Sequence, residues 1–333
     1  MTTNFKAIVV SENENGEFSR NIVTKDISSL PSGDVLINVK YSSLNYKDAL
    51  SATGNKGVTR KYPHTPGVDA AGIVKESTNE NFKIGDQVIV TGYDLGMNTS
   101  GGFGQYIRVP AEWIVKLPKN FSLKESMILG TAGFTAALSV SKLVNYKIKP
   151  DDGEILVTGA TGGVGSVAVS ILSKLGYNVI AATGKSQLKD MLLKLGAKDI
   201  ILRDELDDQS GKPLIKGRWA GAIDTVGGNI LATVLKSTQY GGCVTCCGNV
   251  ASHKLLTTVY PFILRGVSLM GVDSVQCPMN LRTELWDKLS ADWKPDNLHE
   301  NVEEVTLKEL DDKIEKILNG QLKGRTIVNL DND

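Results

Sequence analysis

Residues 154–185 constrain this chain more than any other stretch. Ile155, Leu156 and Val157 form a short apolar run, suited to a strand buried on both faces. A glycine-rich turn follows, Thr158-Gly159-Ala160-Thr161-Gly162-Gly163-Val164-Gly165. Val164, Val167, Ala168, Ile171, Leu172 and Leu175 then recur at helical spacing, and Gly176 stands where a helix C-terminal glycine belongs. Residues 179–182 supply a second apolar run. A strand–turn–helix–strand unit brings unbonded N–H groups and the positive end of a helix dipole to one point, which suits a pyrophosphate. The fingerprint is G-x-G-x-x-G with Ala160 in first place, then Gly162 and Gly165. A glycine triplet alone is weak, and an α/β turn that binds nothing is the alternative. The flanking strand and helix raise the signal.

The end of the second strand bears on which dinucleotide is held. An NAD site places Asp or Glu there, to hydrogen-bond the ribose 2′-hydroxyl. Here the corner reads Thr183-Gly184-Lys185. No carboxylate repels a 2′-phosphate, and a hydroxyl, a close backbone and a cation can hold one. The corner predicts NADP(H). The plainer reading of Lys185 is a solvated lysine opening the next helix.

A chain of 333 residues allows two domains or one large one. Its 37 basic and 37 acidic residues cancel, so charge gives no case for nucleic acid or a membrane surface. The first residues carry no apolar signal region, and no uninterrupted span suffices to cross a bilayer, so the expectation is a cytoplasmic protein. Cys243 and Cys246 make a C-x-x-C, which could be a redox pair or half a zinc site. They lie in an apolar run that reads as a buried strand, where residues three apart face opposite ways. No second C-x-x-C exists, and small apolar cysteines suit such a strand.

The first 120 residues read as many short strands punctuated by Gly and Pro, at 6–10, 34–41, 68–74, 87–90, 105–109 and 113–117, which suggests a barrel-like β domain. Ser122 and Glu125 form a capping box that starts a helix, with a second helix at about 131–143. Strands and helices then alternate. Further strands are expected at 199–202, 222–224, 243–247 and 267–272, giving six with crossover helices, a doubly wound sheet. The tail reads as helices at 281–289 and 307–318 and a closing strand at 326–330.

Against this background several segments carry a family likeness. Ser43-Leu44-Asn45-Tyr46-Lys47-Asp48, residues 66–72, 130–136, 157–165 and 222–228, Tyr260-Pro261-Phe262-Ile263-Leu264-Arg265 and residues 271–274 resemble the medium-chain dehydrogenase/reductase superfamily, in its zinc-free quinone oxidoreductase-like branch. They match most closely the subgroup of bacterial NADPH-dependent acrylyl-CoA reductases. The resemblance spans nearly the whole chain. It implies a GroES-like β-rich catalytic domain (residues 1–125 and 273–333) and a Rossmann NADP-binding domain (residues 126–272), in an α/β homodimer. Zinc members of the superfamily place Cys at Asn45 and His-Glu at Val68-Asp69, so the resemblance implies no metal.

Residue by residue, the resemblance implies that Thr161, Gly162, Gly163 and Val164 carry the diphosphate. Thr183, Gly184 and Lys185 would meet the 2′-phosphate, with Arg203 over the adenine side. Asn249, Ile263 and Ser274 would line the nicotinamide end; simple packing or turn chemistry is the alternative for these three. Tyr46 would lie near the nicotinamide and ribose, where its hydroxyl could steady the cofactor, bond an acyl oxygen or pass a proton. Asn45 could orient the same groups. Asp69 would act as a base or only brace its loop. Lys47, Lys56, Arg60 and Lys61 could rim a cleft for the phosphates of coenzyme A, or be plain solvated surface. The expected activity is hydride transfer from NADPH to the β-carbon of an activated alkene, acryloyl-CoA above others. A quinone or enone reductase, or a non-catalytic NADPH-binding protein, are the alternatives.

Overall fold

The computed structural model of the protein describes residues 3–331, which divide into two compact units. The first comprises Met1–Thr131, Val275–Ser290 and Leu298–Asp333; the second comprises Ala132–Ser274 and Ala291–Asn297.

The first unit begins with an antiparallel ribbon, β1 (Asn4–Glu12) and β2 (Phe18–Asp26). Next come β3 (Val35–Ser43), a short helix α1 (Tyr46–Ala52), β4 (Asp69–Ser77), β5 (Gln87–Thr91), β6 (Tyr106–Val109) and β7 (Ile114–Lys116). Helix α2 (Leu123–Asn145) opens on the expected capping box: Ser122 Oγ accepts the Glu125 N–H at 3.1 Å, and Glu125 accepts the Ser122 N–H at 3.0 Å. Gly130, at φ +52°, is non-helical, so α2 is two helices meeting at a kink, as the sequence reads. The helix also corrects the membrane expectation. By length and composition alone it could cross a bilayer, yet 83% of its most apolar window is buried within the protein.

The second unit is a parallel sheet of β8 (Glu154–Val157), β9 (Asn178–Thr183), β10 (Asp199–Leu202), β11 (Trp219–Asp224), β12 (Thr238–Cys246) and β13 (Ser268–Gly271). Helices α3 (Gly163–Lys174), α4 (Lys189–Lys194), α5 (Gly228–Ser237) and α6 (Tyr260–Arg265) join its strands. The spatial order is β10-β9-β8-β11-β12-β13, so the chain leaves the centre in one direction and then the other. That reversal between β8 and β11 is where open α/β sheets bind their ligands. Leu156, Ile180, Ala222, Val234 and Val244 form the core between sheet and helices. Gly176, at φ +83° with open space around it, ends α3 as expected.

The tail, α7 (Met279–Ser290), β14 (Val302–Val305), α8 (Leu310–Leu318) and β15 (Arg325–Asn329), completes the first unit. Strand β15 pairs with β3, giving the order β14-β15-β3-β4-β5-β7 with β6 also on β3. Val35, Ile37, Val74, Val88, Ile107, Ile314 and Val328 share its core. Four elements are absent from the sequence reading: β2, α1, α6 and β14. Strand β2 has no fully buried residue, and β14 is only four residues long, so neither leaves an apolar signature.

Candidate active site

In the second unit the glycine turn is built by contact distances. Gly159, not Ala160, makes the sharp turn, at φ +59°, and Thr225 Oγ1 closes over it onto the Thr158 carbonyl at 2.9 Å. Ala160 is fully buried. A Cβ on Gly165 would overlap the Gly159 carbonyl, so this glycine lets α3 pack hard against the turn. The first N–H to close onto the helix is that of Ser166, to the Gly162 carbonyl at 2.9 Å. The N–H groups of Gly163, Val164 and Gly165 have no carbonyl partner among the described residues. Three donors and a helix dipole end therefore converge on one point, as a diphosphate requires.

The corner after β9 lies against this turn. Thr183 is buried, and its Oγ1 meets that of Thr161 at 3.3 Å while accepting the Lys185 N–H at 3.0 Å. A Cβ on Gly184 would stand 3.3 Å from the guanidinium carbon of Arg203, so Arg203 lies flat over the corner. Burial lowers the Lys185 pKa from its ordinary value. Thr161, Thr183, Gly184, Lys185 and Arg203 are thus brought together, with two cations at the corner and the exposed Asp204 3.9 Å from the Arg203 guanidinium.

The three remaining positions in this unit differ in character. Asn249 is exposed beyond the end of β12, and Ile263 is 67% exposed on α6. Ser274 is partly buried, and its Oγ accepts the Thr135 hydroxyl at 2.9 Å. A residue not singled out in the sequence, Asp224 at the end of β11, braces the site from below. It accepts Thr158 Oγ1 at 2.7 Å and the Gly227 N–H at 2.8 Å, and burial raises its pKa. The cysteines are free thiols. Burial pushes Cys243 up to about 11 and Cys247 up to about 12, so neither is a thiolate at neutral pH.

In the first unit Tyr46 is the first residue of α1, 39% exposed, and its hydroxyl has no hydrogen-bond partner among the described residues. Asn45, by contrast, is turned inward. Its Nδ2 donates to Asp69 Oδ2 at 2.7 Å, and its Oδ1 accepts from Arg325 at 3.4 Å. This amide holds the start of α1 in place and is engaged on both ends.

Beneath it lies a buried charged cluster that the sequence reading missed. Asp48 and Asp69 are fully buried and Arg325 nearly so. Asp69 accepts Ser43 Oγ at 2.5 Å, Asn45 Nδ2, the Thr131 N–H at 2.9 Å and Thr131 Oγ1 at 2.6 Å. Asp48 accepts the N–H groups of Asn45 and Val68, both at 2.8 Å. Arg325 donates to the Ile128 carbonyl at 2.8 Å and to Ser43 Oγ at 2.9 Å. Two carboxylates and one guanidinium leave the cluster one negative charge in excess. Burial, then the neighbouring Asp69, pushes Asp48 up to about 7. Burial lowers Arg325, and the two carboxylates oppose that. Gly130 is required here, because any Cβ would overlap Asp69 and Ser43.

Of the four rim cations, Lys56 is engaged by Glu12 at 2.5 Å and lies over the Phe18 and Tyr62 rings. Lys47, Arg60 and Lys61 have no ion pair among the described residues.

A β-rich unit closed by a returning tail, and a doubly wound sheet with an open glycine turn, define a two-part dehydrogenase. The chain belongs to the medium-chain dehydrogenase/reductase superfamily: residues 31–119 match the alcohol dehydrogenase GroES-like domain and residues 163–291 the zinc-binding dehydrogenase domain. It is 42% identical over 327 residues to the acrylyl-CoA reductase AcuI of Ruegeria pomeroyi, covering 98% of this chain and 99% of that one. It is 47% identical to the Bacillus subtilis protein yhfP, whose structure with NAD bound superposes with a TM-score of 0.96 over 98% of this chain and 100% of that one. The yhdH oxidoreductase of Salmonella enterica, solved with NADP, is 44% identical, with a TM-score of 0.95 over 97% and 99%. Despite the zinc in the second domain's description, no three His, Cys, Asp or Glu side chains among the described residues cluster as a metal site.

Proposed function

We propose that the protein is an NADPH-dependent, zinc-independent reductase of activated alkenes, acting on acryloyl-CoA to give propanoyl-CoA. The observation that carries the cofactor half is the Thr183-Gly184-Lys185 corner with Arg203 laid across it, set beside three unbonded N–H groups at the start of α3. The substrate half is supported by the 42% identity to the acrylyl-CoA reductase AcuI.

Gly163, Val164 and Gly165 would bind the diphosphate through backbone N–H groups, and Lys185 and Arg203 the 2′-phosphate. Asn249, Ile263 and Ser274 would border the nicotinamide end. When bound, NADPH supplies the hydride that the β-carbon of the enoyl thioester receives. The charge that develops on the thioester oxygen needs a donor, and the exposed Tyr46 hydroxyl is suited to it. Asn45 positions Tyr46 by fixing the first turn of α1. A proton added at the α-carbon completes the product. Asp69 is no base in this scheme, because both its oxygens already accept hydrogen bonds.

The protein acts in the cytoplasm as a homodimer in this reading. The motivation for the dimer is β13, an edge strand whose residues are only partly buried and which needs a cover. Sedimentation at micromolar concentration tests it, and a monomeric mass there would count against it. Activity is tested by NADPH turnover with acryloyl-CoA, crotonyl-CoA, a benzoquinone and buffer alone. Fastest turnover with acryloyl-CoA is the expected result. Brisk turnover of the quinone alone would move the protein to quinone reduction, and no turnover with tight NADPH binding would make it a binding protein.

A further inference from the structure

Three loops leave neighbouring strands at one end of the parallel sheet: the glycine turn after β8, residues 225–227 after β11 and residues 247–252 after β12. Strand pairing follows them as far as the Thr158 N–H on the Ile223 carbonyl and the Cys247 N–H on the Asp224 carbonyl, both at 3.0 Å. Past that point the middle loop is clamped on both sides. Toward the glycine turn the clamp is made by side chains. Thr158 Oγ1 accepts the Thr225 N–H at 3.0 Å, and Thr225 Oγ1 donates to the Thr158 carbonyl at 2.9 Å. Toward the loop after β12 the clamp is backbone. The Ala251 N–H donates to the Val226 carbonyl at 3.0 Å, and Gly227 forms a parallel bridge with Ser252. A Cβ on Gly248 would fall 1.9 Å from the Thr225 carbonyl oxygen, so only glycine fits there. Asn249 therefore stands between two residues pressed onto the middle loop.

Asp224 joins the two clamps. Its Oδ1 accepts the Thr158 hydroxyl at 2.7 Å, on the side of the glycine turn. Its Oδ2 accepts the Gly227 N–H at 2.8 Å and the Val226 N–H at 3.3 Å, on the side of the backbone clamp. The residue is fully buried and has no ion pair among the described residues. Burying a carboxyl group without a cation is costly. Here each oxygen is spent on a different loop. Asparagine has the same shape but accepts at one end only, so its NH₂ would face either Thr158 Oγ1 or the Gly227 N–H.

We propose that Asp224 is a positioning residue for the cofactor, setting the spacing between the diphosphate turn and the Asn249 loop and so fixing the nicotinamide end. The inference rests on the glycine turn being the diphosphate site. It is tested by titrating the full-length protein with NADPH and with 2′-AMP, which carries the 2′-phosphate but neither diphosphate nor nicotinamide. Asp224→Asn and Thr158→Val should each weaken NADPH by about tenfold, as loss of a buried hydrogen bond to a charged group does, and leave 2′-AMP binding unchanged. Thr158→Ser keeps the hydroxyl and should bind NADPH as the wild type does. At saturation the nicotinamide fluorescence of bound NADPH should be less polarised in Asp224→Asn than in wild type, a loosening that lost stability alone does not produce. Equal losses of NADPH and 2′-AMP affinity in both Asp224→Asn and Thr158→Val would mean general damage and overturn the proposal. Unchanged NADPH binding and polarisation in both would overturn it as well. Wild-type protein that binds NADPH no more tightly than 2′-AMP would instead overturn the diphosphate reading beneath it.

Discussion

Asp69 meets Thr131 twice, accepting its backbone N–H at 2.9 Å and its hydroxyl at 2.6 Å. Thr131 is the first residue after the Gly130 break, so this carboxylate caps the second half of α2 and faces the positive end of its dipole. Asp69 is thereby a structural anchor. The same carboxylate also takes Ser43 and Asn45, so one residue ties α1, β3 and α2 together.

Replacing that anchor should be expensive. In Asp69→Asn the amide keeps the shape but turns an N–H pair toward existing donors, and Arg325 loses its nearest countercharge. Breaking a buried ionic cluster from one side costs about 3–5 kcal/mol. Urea unfolding at pH 7 should show a loss of that order. A loss below about 1 kcal/mol would mean that the cluster does not behave as a charged unit.

Asp48 gives the fold a pH dependence of definite sign. Its folded pKa is raised to about 7 from 3.8. Between those values the folded state keeps a proton that the unfolded chain has released. Stability from this group is therefore greatest at low pH, falls as pH rises from about 4 to about 7, and is level above. Thermal midpoints from pH 5 to 8 for wild type and Asp48→Asn should show the slope in the first and its loss in the second. Parallel curves would refute the assignment.

Cofactor choice should follow the corner after β9. Lys185→Ala is expected to weaken NADPH binding at least tenfold while leaving NADH binding nearly unchanged, with Arg203→Ala acting in the same direction. Fluorescence titration of each nucleotide measures both. Native protein that binds NADH as tightly as NADPH would defeat the reading, and the NAD-bound structure of the Bacillus subtilis relative makes this comparison worth doing first.

Tyr46→Phe removes only a hydroxyl that no group among the described residues uses. If that hydroxyl bonds the thioester oxygen more strongly in the transition state, kcat falls with little change in KM. About a hundredfold loss, roughly 2.7 kcal/mol, matches one such donor. A rise in the KM for NADPH instead would make Tyr46 a cofactor-positioning residue, and no change would remove it from the chemistry.

Much of the second unit was legible because buried parallel strands are continuous apolar runs, as in Ile155-Leu156-Val157, and glycines mark its turns. Even there Gly241 and Gly242 hid the first half of β12, since a glycine pair reads as a turn. The proposed phosphate corner, Thr183-Gly184-Lys185, could be read from three adjacent letters. The charged cluster could not. The sequence offers Asp69 as a base or a brace for its loop and gives Asp48 no role, and Arg325 is brought to Asn45 from 280 positions away. Only the pairing of β15 with β3 makes them neighbours. Helix α1 escaped because seven residues give too few turns for a periodic signal.

The late position of Arg325 also sets an order of birth. Residues 132–274 carry every strand of the parallel sheet as one unbroken segment, so that sheet can assemble while the ribosome is still adding the tail. Asp48 and Asp69 emerge early but must wait for the arginine whose single charge offsets one of them. Until β15 is made, the first unit has two acids to bury and no base to bury with them. Its completion is therefore a late event of synthesis, and a ribosome stalled short of Arg325 would present a finished sheet beside an unfinished barrel.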